Sequence, residues 1–338
     1  MDILENVTVI IPAHNRPERL QRLLDYYRGT GLRVIVPDSS DALFTGRMDP
    51  EQVVYLHRPR LHFLLKIREI LPMISTRYVF YCADDDFIVP EAVCEIAEFL
   101  DRNPSYSCAQ GHYLTFTPCG DGVRFTPRYI RSFDSYVDGD SAVERLTGQF
   151  GMYASVLYGV VRTDAFIRTY QYCFDSKGEP RFRNLYLAEE FFHNSMLIHG
   201  CYATLPCFYS AREQIRNSAA QITVPSSVIK NSPEYRPEFD GFVRGLTLLL
   251  SECAGMPESE SEALIRRVVS APADKPSVLF KRRVNAFLDR HPLLGWASRL
   301  SVWRYHQKGL KAVRGLQSYP CTFSTPATEA IVRAVRSG

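Results

Sequence analysis

The chain has 338 residues, 46% hydrophobic and 12% aromatic, and carries 40 Lys/Arg against 37 Asp/Glu for a formal net charge of +3. It is long enough for one large domain or two ordinary ones, too apolar to be disordered, and too nearly neutral to coat nucleic acid over its whole surface. The near-neutrality is a sum of opposites: residues 275–338 hold 12 Lys/Arg and 2 acids, +10, which leaves residues 1–274 at −7.

The nine cysteines form no C-x-x-C pair, which argues against a zinc ribbon or a thioredoxin-like site. Scattered through apolar stretches, they read as reduced thiols in a reducing compartment. The opening MDILEN carries two acids and no basic region, unlike a secretory signal. No apolar run approaches the roughly 20 residues of a membrane span. The expectation is a cytoplasmic protein that meets the inner face of a membrane, if at all, from the side.

The first hundred residues alternate. Val7–Ile11 is a β-branched run stopped by Pro12 and predicts a buried strand. Arg16–Tyr27 has Leu20, Leu23, Leu24 and Tyr27 at helical spacing, with Pro17 near its start and Gly29 and Gly31 beyond its end. Arg33–Val36 and Val53–Leu56 predict two more strands, Leu61–Ile74 a helix, and Tyr78–Cys82 a fourth strand that runs into Asp84, Asp85 and Asp86. Pro90–Leu100 restores helical spacing. Strand-like stretches recur at Ser107–Thr117 and Ala154–Val161, followed by helices at Leu187–Ile198, Phe239–Cys253 and Ser261–Val269. Such alternation implies a parallel α/β sheet covered on both faces, with ligands bound beyond the carboxyl ends of its strands.

No G-x-G-x-x-G follows the first strand, and no P-loop or G-x-S-x-G elbow occurs, which sets aside three common occupants of such a sheet. Three adjacent aspartates at a strand end repel one another. A divalent cation such as Mg²⁺ or Mn²⁺, shared with substrate phosphates, would offset their charge; a solvated acidic turn ahead of the Pro90 helix is the plainer alternative.

VTVIIPAHNRPERL, VPDSS and YVFYCADDDFIVPEAV, in that order, resemble the inverting glycosyltransferase family 2, and ADDDF in particular a bacterial subfamily of it. The likeness covers the first hundred residues well and extends more loosely to about residue 225. It implies a GT-A fold: a Rossmann-like nucleotide-diphospho-sugar transferase sheet with helices on both faces. The GT-A catalytic domain would be residues 1–225, with a nucleotide half to about 105 and an acceptor half from about 106. Residues 226–338 would be a mainly helical, basic C-terminal region.

The implied activity is metal-dependent, inverting transfer of a sugar from a nucleotide-diphosphate sugar, most often a UDP-sugar, to an acceptor hydroxyl. The setting would be synthesis of a bacterial surface glycan or glycolipid. By the same resemblance Pro12, Ala13 and Asn15 would lie against the nucleotide and Asp38 would reach the nucleobase. Asp84 and Asp86 match the ends of a D-x-D motif holding Mn²⁺ or Mg²⁺ on the diphosphate, with Asp84 and Asp85 beside the donor. The family's base is a carboxylate in an acidic pair opening a late helix; Glu189 and Glu190 fit it, position favouring Glu190 and leaving Glu189 open. Both also suit the first turn of a helix as acids facing its dipole.

Where family members often carry a metal- or diphosphate-binding His, this chain has Gln214, with Arg212 and Arg216 nearby to hold phosphate. His14, Lys66, Arg68, His112 and Tyr113 are weaker candidates; a solvated helix face accounts for Lys66 and Arg68 as readily as phosphate contact. Two other functions remain open, a sugar nucleotidyltransferase and a non-catalytic sugar-nucleotide-binding or scaffold protein. Trp296 and Trp303 with Arg299, Arg304, Lys308 and Lys311 form a basic aromatic stretch. It suits either an anionic membrane surface or packing on the catalytic domain, and no nucleic-acid partner is expected.

Overall fold

A computed structural model describes residues 3–119, 122–128, 135–149, 156–214, 224, 226–270 and 325–337. The architecture is the expected α/β one, a sheet with helices on both faces, though mixed rather than wholly parallel. Strands β1 (Val7–Ile10), β2 (Arg33–Asp38), β3 (Val53–His57) and β4 (Tyr78–Tyr81) are mutually parallel in the order β3-β2-β1-β4. The sheet continues through β9 (Val160–Arg162), β6 (Tyr106–Cys119), β10 (Cys201–Glu213) and β5 (Asp86–Ile88). Strands β6 and β10 pair in parallel; β9 and β5 run antiparallel to their neighbours. Short β7 (Gly122–Arg128) and β8 (Tyr136–Val137) pair with β6 and β10.

Each central strand is buried on both sides, and side chains alternate between two cores. Val7, Val9, Ile11, Phe80 and Cys82 join the core under α1 (Pro17–Tyr27) and α3 (Pro90–Arg102). Ile10, Ile35, Val79 and Tyr81 join the opposite one, under α2 (Phe63–Ile70), α5 (Thr163–Tyr172) and α6 (Leu185–His199). Helix α4 (Ala142–Gly148) starts at Ser141, whose hydroxyl accepts the Glu144 N–H while Glu144 accepts the Ser141 N–H. Helix α1 has Pro17 in its first turn and is followed by Gly29 and Gly31 at φ 70° and 83°, a left-handed exit that suits glycine.

Helices α7 (Ser226–Asn231), α8 (Arg236–Ala254) and α9 (Glu258–Ser270) follow. Ile229, Phe239, Phe242, Leu246 and Leu264 belong to the same hydrophobic cluster as Ile10 and Tyr81, so these helices share the core of the sheet. The last helix, α10 (Pro326–Ser337), returns to α1 and buries Ile331 in the other core. Trp296, Trp303 and their basic neighbours lie outside the described residues, as does Arg216. Among the described residues no helix is long and apolar enough to cross a membrane.

Candidate active site

A cleft of about 830 Å³ opens at the carboxyl ends of β1, β2 and β4, a volume suited to a nucleotide-sized ligand. Three chain reversals after parallel strands form one wall. Pro12, His14, Asn15 and Arg16 come from the first, Ser39 from the second, and Asp84, Asp85 and Asp86 from the third. The facing wall comes from Leu157, Tyr158, Leu185, Tyr186, Ala188 and Glu189, and Arg212, Glu213 and Gln214 close it from the end of β10.

The aspartates are held by arginine. One Arg16 nitrogen donates to Asp84 at 3.0 Å and to Asp85 at 2.8 Å. Asp86 opens β5 opposite Arg212 of β10 and accepts from Arg212 Nε at 2.9 Å and from the Glu213 backbone N–H at 3.0 Å. The Arg212 guanidinium also lies over the Tyr158 ring, 4.7 Å from its centroid. Burial and the neighbouring Asp85 charge push Asp84 up to about 6 against the pull of Arg16. Burial raises Asp86 as well, despite Arg212. For both carboxyls burial is the larger influence and the paired arginine the smaller one.

Asp84, Asp85 and Asp86 present hard carboxylate oxygens to the cleft, the donor type that Mg²⁺ or Mn²⁺ takes. Among the described residues no three His, Cys, Asp or Glu side chains are grouped as a metal site, so a cation here needs further oxygens, which a diphosphate supplies.

Glu213 is clamped by Arg19 at 3.0 Å and Arg22 at 2.7 Å. Burial pushes its carboxyl up, but the two arginines outweigh that and hold it below the ordinary glutamate value. Lys66 is 4% exposed and faces the cleft, its Nζ donating to the Ala13 carbonyl at 3.0 Å and to Ser39 Oγ at 3.1 Å. Burial lowers it to about 8, with Asp38 and Asp84 pulling the other way. At the lip, Asn15 and Arg60 adopt φ 53° and 57°, a strained region for residues other than glycine. Asp41 fastens both, accepting from Arg60 Nε at 2.7 Å and from Asn15 Nδ2 at 3.3 Å.

The cleft thus gathers Pro12, Asn15, Asp84, Asp85, Asp86, Arg212 and Glu189. Ala13 lies buried beneath it, offering only its carbonyl to Lys66. Asp38 is 1% exposed and outside the lining; Ser40 N–H and Oγ donate to one oxygen at 2.8 and 2.5 Å, and Tyr55 OH to the other at 2.7 Å. Glu190 also lies outside the lining, its carboxylate 2.8 Å from Lys230 Nζ. His112 and Tyr113 are buried in the sheet, and Arg68 lies over the Phe174 ring, none of them at the cleft. Lys66 departs from the solvated helix face that its spacing allowed.

Sequence reading passed over Arg60, Leu61, His62, Phe63, Arg128, Tyr158, Leu185, Tyr186 and Glu213, all of which line the cleft. Leu185 and Tyr186, just ahead of the Glu189–Glu190 pair, and Glu213, between Arg212 and Gln214, carried a local signal.

The structure therefore defines an α/β protein with an acid- and arginine-lined cleft at the carboxyl ends of its parallel strands. No family model matches the chain, and no curated protein is similar to it. Among solved structures it is similar to S. aureus TarS. To the crystal structure of TarS 1–349 the identity is 14%, covering 98% of this chain and 89% of that one, with a TM-score of 0.46. To the UDP-GlcNAc complex of TarS 1–349 the identity is 13%, with the same coverage and a TM-score of 0.47. Against a longer TarS chain the identity is 16% and the TM-score 0.44, over 78% of this chain and only 42% of that one. At such values the assignment rests on strand order and site geometry.

Proposed function

We propose that this protein is an inverting glycosyltransferase of the family 2 type, moving a sugar from a nucleotide-diphosphate sugar to an acceptor hydroxyl. The observation that carries the reading is the meeting, in one cleft, of an aspartate triad at a strand end with Glu189; the other glutamate of the lining, Glu213, is clamped by Arg19 and Arg22. Glu189 takes the place that position in the pair gave to Glu190. The acceptor oxygen attacks the anomeric carbon as Glu189 removes its proton, and the bond from that carbon to the diphosphate oxygen breaks. Arg16, Arg212 and Lys66 stabilise the charge that develops on the departing diphosphate. Asp84 and Asp86 are the groups that would hold Mn²⁺ or Mg²⁺, which would supply Lewis-acid neutralisation of that same charge. One displacement with one base inverts the anomeric centre.

The test is release of nucleoside diphosphate from UDP-, GDP- and dTDP-sugars with Mn²⁺ and a panel of glycan acceptors. UDP-sugars come first, since UDP is the commonest donor nucleotide in the family the sequence resembles. Glu189→Gln is expected to lower turnover about 100- to 10,000-fold, the usual contribution of a positioned base. Asp86→Ala should abolish the metal response. No release from any donor, or release indifferent to both substitutions, sinks the proposal.

A further inference from the structure

The start of α6 is fastened by the C-terminal helices. Glu238 of α8 accepts the backbone N–H groups of Arg183 and Asn184 on one oxygen, at 3.1 and 3.0 Å. Asn184 caps the helix, its Oδ1 accepting from the Tyr186 and Leu187 N–H groups, and its Nδ2 donates to the Val224 carbonyl at 3.2 Å. Lys230 of α7 then pairs with Glu190 at 2.8 Å, the two side chains 19% and 24% exposed, while its neighbour Ile229 is buried in the helical core. The Glu190 carbonyl is held too, accepting from Asn194 Nδ2 at 2.7 Å.

Consecutive helical residues point about 100° apart around the axis, so fixing the direction of one side chain fixes that of the next. Of the adjacent acids, the one paired to Lys230 lies outside the cleft and the other lines it. We infer that Lys230 is a positioning residue: by anchoring Glu190 away from the cleft, it sets the rotation of the first turns of α6 that presents Glu189 to the acceptor. This inference rests on the glycosyl-transfer reading. A partly exposed ion pair contributes little to stability, so its effect on kcat should stand apart from any effect on folding.

The experiment uses the full chain and the donor identified by nucleotide release. Lys230→Met is expected to lower kcat about tenfold with the donor KM held within about twofold, as displacement of a reacting group does. Lys230→Arg, which keeps the pair, should recover most of the loss. Glu190→Gln breaks the ionic pair from the other side and should remain at least about tenfold more active than Glu189→Gln. A Lys230→Met protein with wild-type kcat overturns the inference, as does a Glu190→Gln protein as inactive as Glu189→Gln.

If the wild type releases nucleotide from no donor, the glycosyl-transfer reading has failed, and hydrogen exchange then decides the positioning role. The amides of Leu187–Glu190 should exchange about fivefold faster in Lys230→Met and at the wild-type rate in Lys230→Arg. Equal rates in all three proteins overturn it.

Discussion

Lys66 gives the most demanding test of the electrostatics. Its ammonium is buried, hydrogen-bonded only to Ala13 O and Ser39 Oγ among the partners described above, and lowered from 10.5 to about 8. Because the folded value lies below the unfolded one, the unfolded chain binds more protons between pH 8 and 10.5, and stability must rise with pH across that window. Below pH 8 the lysine is charged in both states, and keeping it buried costs about 3 kcal/mol, the free-energy equivalent of the lowering. The assay is urea unfolding of wild type and Lys66→Met at intervals from pH 7 to 10.5. Taking the difference between the two removes the tyrosines that titrate in the same range. Wild type should gain about 3 kcal/mol on the variant across the window. A difference that stays flat, or falls with pH, refutes the claim that burial dominates at Lys66.

Arg212→Ala should destabilise the fold by about 3 kcal/mol, since it strips the guanidinium from a buried carboxylate, and adding Asp86→Asn should recover part of that loss in thermal unfolding. Gly241→Ala should destabilise although alanine is the better helix former, because its Cβ would press into the Arg181 carbonyl; a raised urea midpoint would count against that packing. Tyr55→Phe should cost about 1–2 kcal/mol by removing the phenol that donates to Asp38 and accepts from the Phe44 N–H, read as a lowered melting temperature.

The first hundred residues are the most legible part of the sequence. Strands β1 and β2 are buried β-branched runs stopped by or near prolines, and β4 is a buried aromatic run that leads into the aspartates, so the loops after β1 and β4 stand out as a site in the sequence. What the sequence hid lies in pairings distant along the chain. Strand β5 is three residues long and exists because β10, more than 120 residues later, lies against it. Helix α5 has no side-chain cap and several weak helix formers; its burial of Phe166 and Tyr170 sustains it. Asp38, expected just after the second strand, is the last residue of β2, and Tyr55 and Ser40 engage its oxygens. Likewise nothing near Glu190 announces Lys230, so position within the pair could not choose between the two glutamates.

The antiparallel pairing of Asp86 with Arg212 has one more consequence. Asp86 is a rung of the sheet as well as a wall of the cleft. Side chains alternate along a strand, so a slip of one residue between β5 and β10 would turn the carboxylate to the opposite face and part it from its arginine. A misregistered chain could keep most of its secondary structure and still lack the site. The register of β5 against β10 and the Asp86–Arg212 pair thus form together or not at all.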